Sequence, residues 1–210
     1  MSTQKSTKEQ RAMKYYTHAA EFIDVYAKLS KVDSEHIDIA KDLMQASVKQ
    51  LILGHALELV MKGWLVLYEG TPISLTSKQR QERVQAGQDA LLTLKGYGHD
   101  LEKLATAAVK YDADIQQYMN KTIPMIDKAG VPMLDDQGRT RMKSVIEHLN
   151  SSYWAGGARQ YEYPESNEEA EKQSIAFLSP LDKFAVFVST SRHKLFNAIM
   201  KQNGGVVPRT

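Results

Sequence analysis

Cysteine is absent from the chain. That excludes a disulfide scaffold, a thiolate zinc site, a cysteine nucleophile and redox-thiol chemistry. It fits a reducing compartment, and we expect a cytoplasmic protein. Glycine and proline are scarce, 12 and 6 in 210 residues, and they cluster, which leaves long uninterrupted segments between them. Strand-like alternation over four or more residues is hard to find. Neither sign of charge is in excess: 27 Lys and Arg against 25 Asp and Glu leave a net +2. That is too balanced to imply nucleic-acid binding by itself. The first twenty residues carry Lys5, Lys8, Arg11 and Lys14 but no continuous apolar stretch, so no signal peptide is expected. The most apolar run, Leu51 to Leu67, is short for a membrane span and contains His55, Glu58 and Lys62. It reads as a buried helix, and no membrane association is expected. A serine-hydrolase elbow, a P-loop, a GxGxxG fingerprint and an HExxH pair are all missing.

What is present is helical periodicity. The composition, 42% hydrophobic and 25% charged, is that of a globular protein. The length predicts one domain over residues 1–210, ordered from about 8 to 202 with flexible tails. Apolar positions from Ala12 to Leu29 recur at helical spacing, which predicts a helix over Lys8–Ser30. Asp33 or Ser34 would cap a second helix from about Glu35 to Tyr68, with a kink at Gly54 and a stop at Gly70–Pro72. Further helices are expected over Thr76–Leu94 and His99–Lys110, and from an Asp112 cap to about Thr122. Residues between Pro124 and Gly138 read as a loop or a broken helix. Asp135 or Asp136 would cap a sixth helix to about Ser152. The last helix spans roughly Asn167–Gln202, with an interruption allowed at Ser179–Pro180, and Gly204 onward reads as a frayed tail. The fold class is all-α, a single bundle of about six or seven helices.

Within the second helix the polar residues His55, Glu58, Lys62 and Glu69 fall in a sector of about 60° at 100° per residue. Glu58 and Lys62 form an i, i+4 pair in the favoured order. Such a stripe is either a satisfied ion pair on a central bundle helix or the lining of a groove or interface. His55-x-x-Glu58 reverses the Glu-x-x-His order of di-iron bundles, so no metal and no other cofactor is expected. Gly98-His99-Asp100-Leu101 is a helix start. Asp100 in the first turn would complement the helix dipole, and the N-terminus itself could receive an anion or phosphate. Gly54-His55-Ala56-Leu57-Glu58 echoes Gly98-His99-Asp100-Leu101-Glu102; we read the echo as chance.

Ala56-Leu57-Glu58-Leu59-Val60-Met61-Lys62 and Gly98-His99-Asp100-Leu101-Glu102-Lys103-Leu104 together resemble the HEPN-like helical domains of prokaryotes. Arg159-Gln160-Tyr161-Glu162-Tyr163-Pro164 stands where that group carries an Arg-Tyr-Pro-type segment before the final helix. The resemblance implies an all-α bundle, frequently dimeric, that acts by RNA cleavage, nucleotide binding or partner binding in defence and stress systems. The expected partners are a second copy, a protein such as a nucleotidyltransferase or a toxin/antitoxin component, and RNA. Active members carry Arg-x(4–6)-His near the start of the last main helix, the Arg for phosphate and the His for proton transfer without a metal. Here the last helix offers Arg192-His193, adjacent residues that diverge on a helix. Arg141 and His148, an Arg-x(6)-His in the sixth expected helix, would share a face two turns apart.

Two readings follow. The first is a non-catalytic binding and dimerisation module, with His55, Glu58, Lys62, His99 and Asp100 as its candidate binding residues. To these we add Trp154, Arg159 and Tyr161 in the segment Tyr153–Tyr163, whose aromatics either plug the bundle or stack on a partner. The second is a metal-independent endoribonuclease using Arg141 and His148.

Overall fold

The computed structural model describes residues 7–32, 39–69, 97–125, 131–150 and 167–208. Among these, six helices dominate and the only sheet has two short strands, so the fold is all-α in class. We label the elements α1 (Lys8–Val32), α2 (Ile39–Glu69), α3 (Leu101–Ala108), α4 (Asp114–Asn120), β1 (Thr122–Pro124), β2 (Met142–Ser144), α5 (Val145–Leu149) and α6 (Asn167–Gln202).

The three long helices α1, α2 and α6 pack on one another, and α3 and α5 cover more of α2. Helix α1 buries Ala12, Met13, Ala19 and Tyr26; Ala12, Ala19 and Tyr26 recur every seven residues, with Tyr15, Tyr16, Phe22 and Ile23 on the flanks. Helix α6 contributes Phe184, Phe187, Val188, Leu195 and Ile199. Between them α2 buries Leu53, Ala56, Leu57, Val60, Met61, Trp64, Leu65, Val66 and Leu67, nearly its whole circumference. By length and hydropathy Val48–Glu69 would pass for a membrane span, yet 72% of its apolar window is buried within the protein. It is a core helix, as its polar stripe indicates. Gly63 allows the close approach: a Cβ there would lie 2.5 Å from Leu195 Cδ2 and 3.3 Å from Tyr15 Cβ. Polar contacts tie α1 to α6 as well. Tyr26 donates to Asp182 at 2.8 Å, and the Arg192 guanidinium sits 4.9 Å from the Tyr16 ring centre.

Helices α1 and α6 have the expected extents, and both α2 and α6 run unbroken, through Gly54 and through Pro180. Four local expectations are corrected. Asp100 is the N-cap of α3 and not a residue of its first turn: its backbone is extended and its side chain accepts the Lys103 N–H. Helix α4 ends at Asn120, because the chain then turns extended into β1. The sixth expected helix is mostly a β-hairpin. Strands β1 and β2 are antiparallel with Ile123 opposite Lys143. Asp135 caps no helix; its carboxylate accepts the N–H groups of Gln137 and Arg139 and pairs with the Arg139 guanidinium. Gly138, at φ +73°, completes that turn. Among the described residues there, the α-helix is Val145–Leu149, started by a capping box in which Ser144 and Glu147 satisfy each other's backbone N–H. Finally, α6 does not fray into a tail. Gly204 takes φ +65°, the Gly205 N–H reaches the Met200 carbonyl, and Pro208 is buried, a Schellman-type stop.

The expected helix over Thr76–Leu94, the caps Asp33 and Ser34, and the segment holding Tyr153, Trp154, Arg159, Tyr161 and Tyr163 lie outside the described residues.

Candidate functional site

The polar stripe of α2 and the Gly-His-Asp-Leu turn meet at one carboxylate. Glu58 is buried, its side chain 2% exposed. Lys62, one turn on, donates to its Oε1 at 2.5 Å. His99, from the turn before α3, brings Nδ1 to 3.0 Å from the same oxygen. His55, one turn back, places Nδ1 3.6 Å from Oε2. The α2 spacing of three and four residues puts His55 and Lys62 on either side of Glu58, while His99 arrives from 41 residues away. An ionised carboxylate only accepts, so the hydrogen of the His99 contact sits on Nδ1.

Exposure grades outward from this centre. Lys62 is 14% exposed, His55 38% and His99 55%. Helix α1 closes the inner side. The Tyr15 hydroxyl is pushed above its ordinary pKa by burial; the Arg11 charge opposes that shift and the Glu58 charge adds to it. The Phe22 ring meets the His55 imidazole edge-on, with centres 4.9 Å apart. Burial pulls the His55 pKa below the usual histidine value, against the attraction of Glu58. Burial alone would raise Asp100, but the Lys103 N–H and ammonium outweigh it and hold its carboxyl low.

This arrangement holds two imidazoles at the surface on a buried anchor. It does not resemble a metal centre. Among the described residues no three His, Asp or Glu side chains gather to hold an ion, and Lys62 already occupies Glu58. The N-terminus of α3 does not stand open to an anion either. Asn150 Oδ1 takes the Leu101 N–H at 2.9 Å and Asp100 takes that of Lys103 at 3.1 Å.

Arg141 and His148 do not form a helical pair. Arg141 precedes β2, exposed, with its backbone spent on Met125 and Met133. His148 lies in α5 and is 5% exposed. Burial, with the Lys143 charge beside it, lowers its pKa to about 3. At neutral pH that imidazole is uncharged, so it holds no imidazolium proton for general-acid work, and it is screened from a large substrate.

Asp112, expected only as a helix cap, is a second buried carboxylate; the N-cap of α4 is Ala113, and Asp112 Oδ1 accepts the Asp114 N–H from just before it. Asp112 accepts from the Ser191 hydroxyl at 2.5 Å and from Lys194 at 3.1 Å, and Lys194 also reaches Asp114. Ser191 is fully buried, so this cluster ties the start of α4 to α6 and is not a site. Its only sequence signal is the i, i+3 placement of Ser191 and Lys194 on one face of α6.

No protein-family model matches this chain, and neither a curated protein nor a solved structure matches it.

Proposed function

We propose that the chain is a HEPN-like helical binding and dimerisation module of a prokaryotic, cytoplasmic defence or stress system. It is non-catalytic in this reading and works with a protein partner or with a nucleotide or RNA. The observation that carries the reading is the 3.0 Å contact of His99 with Glu58. It joins the two segments on which the family resemblance rests, and it leaves His55 and His99 at the surface. A buried carboxylate that fixes two exposed imidazoles gives a preorganised polar surface, which recognition requires.

The test has two arms. Sedimentation of the purified chain, with titration of fluorescent RNA oligonucleotides and of nucleotides, should show a dimer whose ligand affinity falls in His99→Gln. A monomer that binds neither class would overturn the reading. Incubation with RNA in EDTA should leave the RNA intact. Metal-free cleavage that disappears in Arg141→Ala would replace the binding module with the endoribonuclease.

A further inference from the structure

The turn that carries His99 is held from a third direction. Asn150, at the C-terminal end of α5, reaches across to the start of α3. Its Oδ1 accepts the Leu101 N–H at 2.9 Å, and its Nδ2 approaches Asp100 Oδ1 at 3.4 Å. The first turn of α3 therefore has two side-chain caps. One is its own N-cap, and the other stands 49 positions later in the chain. Leu101 is fully buried, so its N–H has no ready substitute in water if Asn150 is lost. His99 lies just before these two anchored residues. Its ring is mostly exposed, so packing does little to aim it.

We propose that Asn150 is a positioning residue of the Glu58 site. By fixing Asp100 and Leu101 it sets the backbone of His99, holds Nδ1 on Glu58, and makes Nε2, with its lone pair, the face presented to a ligand. The inference rests on the reading of this site as a recognition surface. Its own test needs no ligand.

The readout is the tautomer of the neutral His99 imidazole, measured in the full chain by two-bond 15N–1H correlation above pH 8. The wild type should carry hydrogen mainly on Nδ1. In Asn150→Leu the ratio of the Nδ1–H to the Nε2–H form should fall by roughly tenfold. Ser144→Ala removes the cap at the other end of α5 and should leave His99 unchanged. If Asn150→Leu does not fold, Asn150→Ser, too short to reach Leu101, takes its place. The proposal is overturned if the folded Asn150 variant retains the Nδ1–H form. It is equally overturned if Ser144→Ala loses that form to the same extent, or if the wild type never shows it. Failure of the recognition reading would look different: ligand affinity would be unchanged in His99→Gln while the tautomer results stood.

Discussion

His99 Nδ1 and Lys62 Nζ converge on one oxygen of Glu58, the first across 41 residues of chain and the second across a single helical turn. The carboxylate is buried deeper than either group that binds it. A local pair and a distant one therefore share a single acceptor, and removing it strands both.

Glu58→Gln should accordingly destabilise the fold by about 3 kcal/mol, since it leaves a mostly buried ammonium without its counter-charge. Urea unfolding of the two proteins measures this. A loss below about 0.5 kcal/mol would mean that Lys62 finds another partner or water.

The Asp112 cluster should show coupling. Asp112→Asn and Ser191→Ala each remove one half of a fully buried contact. A double-mutant cycle on denaturant stability should return an interaction energy on the order of 1–2 kcal/mol. Additive losses would show that the two side chains act independently.

His148 makes stability depend on pH. Its folded pKa, about 3, lies below the ordinary histidine value of 6.5. Between those values the unfolded chain binds the extra proton, so stability is fully present above pH 6.5 and declines as pH falls toward 3. The slope from this one group approaches about 1.4 kcal/mol per pH unit at most. His55 is shifted in the same direction, so the contrast to measure is wild type against His148→Leu. Denaturation midpoints between pH 7 and pH 4.5 should fall less steeply in the variant. Parallel curves would show that His148 is readily protonated in the folded state.

Gly63→Ala should destabilise, although alanine is the better helix former by about 1 kcal/mol. The added Cβ would press on Leu195 and Tyr15, and Leu195 is fully buried. A net loss of about 1–2 kcal/mol is expected from overpacking. A raised melting temperature would mean that α1 and α6 can shift apart without cost.

The long elements were legible because periodicity over many turns is a strong signal. Ala12 to Tyr26 and Phe184 to Ile199 bury the residues that their spacing selects. The α2 stripe was legible as a stripe, but not its meeting with His99. A contact 41 residues away has no local trace, and the echo between the His55 and His99 segments reads as chance, although both histidines face Glu58. The β-hairpin was missed because three-residue strands are too short to show alternation. Asp135 resembles a helix cap in sequence and is a turn residue in space. The Ser144-x-x-Glu147 box was a readable sign that α5 starts there and not at Asp135.

A rod that is greasy nearly all the way round has few polar contacts to set its angle inside a core. Helix α2 is such a rod, with Leu, Val, Met and Trp on most of its girth. Its one buried carboxylate acts as a key in a slot. If α2 turned by a single residue step, about 100°, Glu58 would leave His99 and face alkyl side chains, at a desolvation cost far above the difference between one aliphatic contact and another. The same group that anchors the surface imidazoles thus indexes the angular setting of the central helix, and the side chains α2 offers to α1, α3 and α6 are fixed with it.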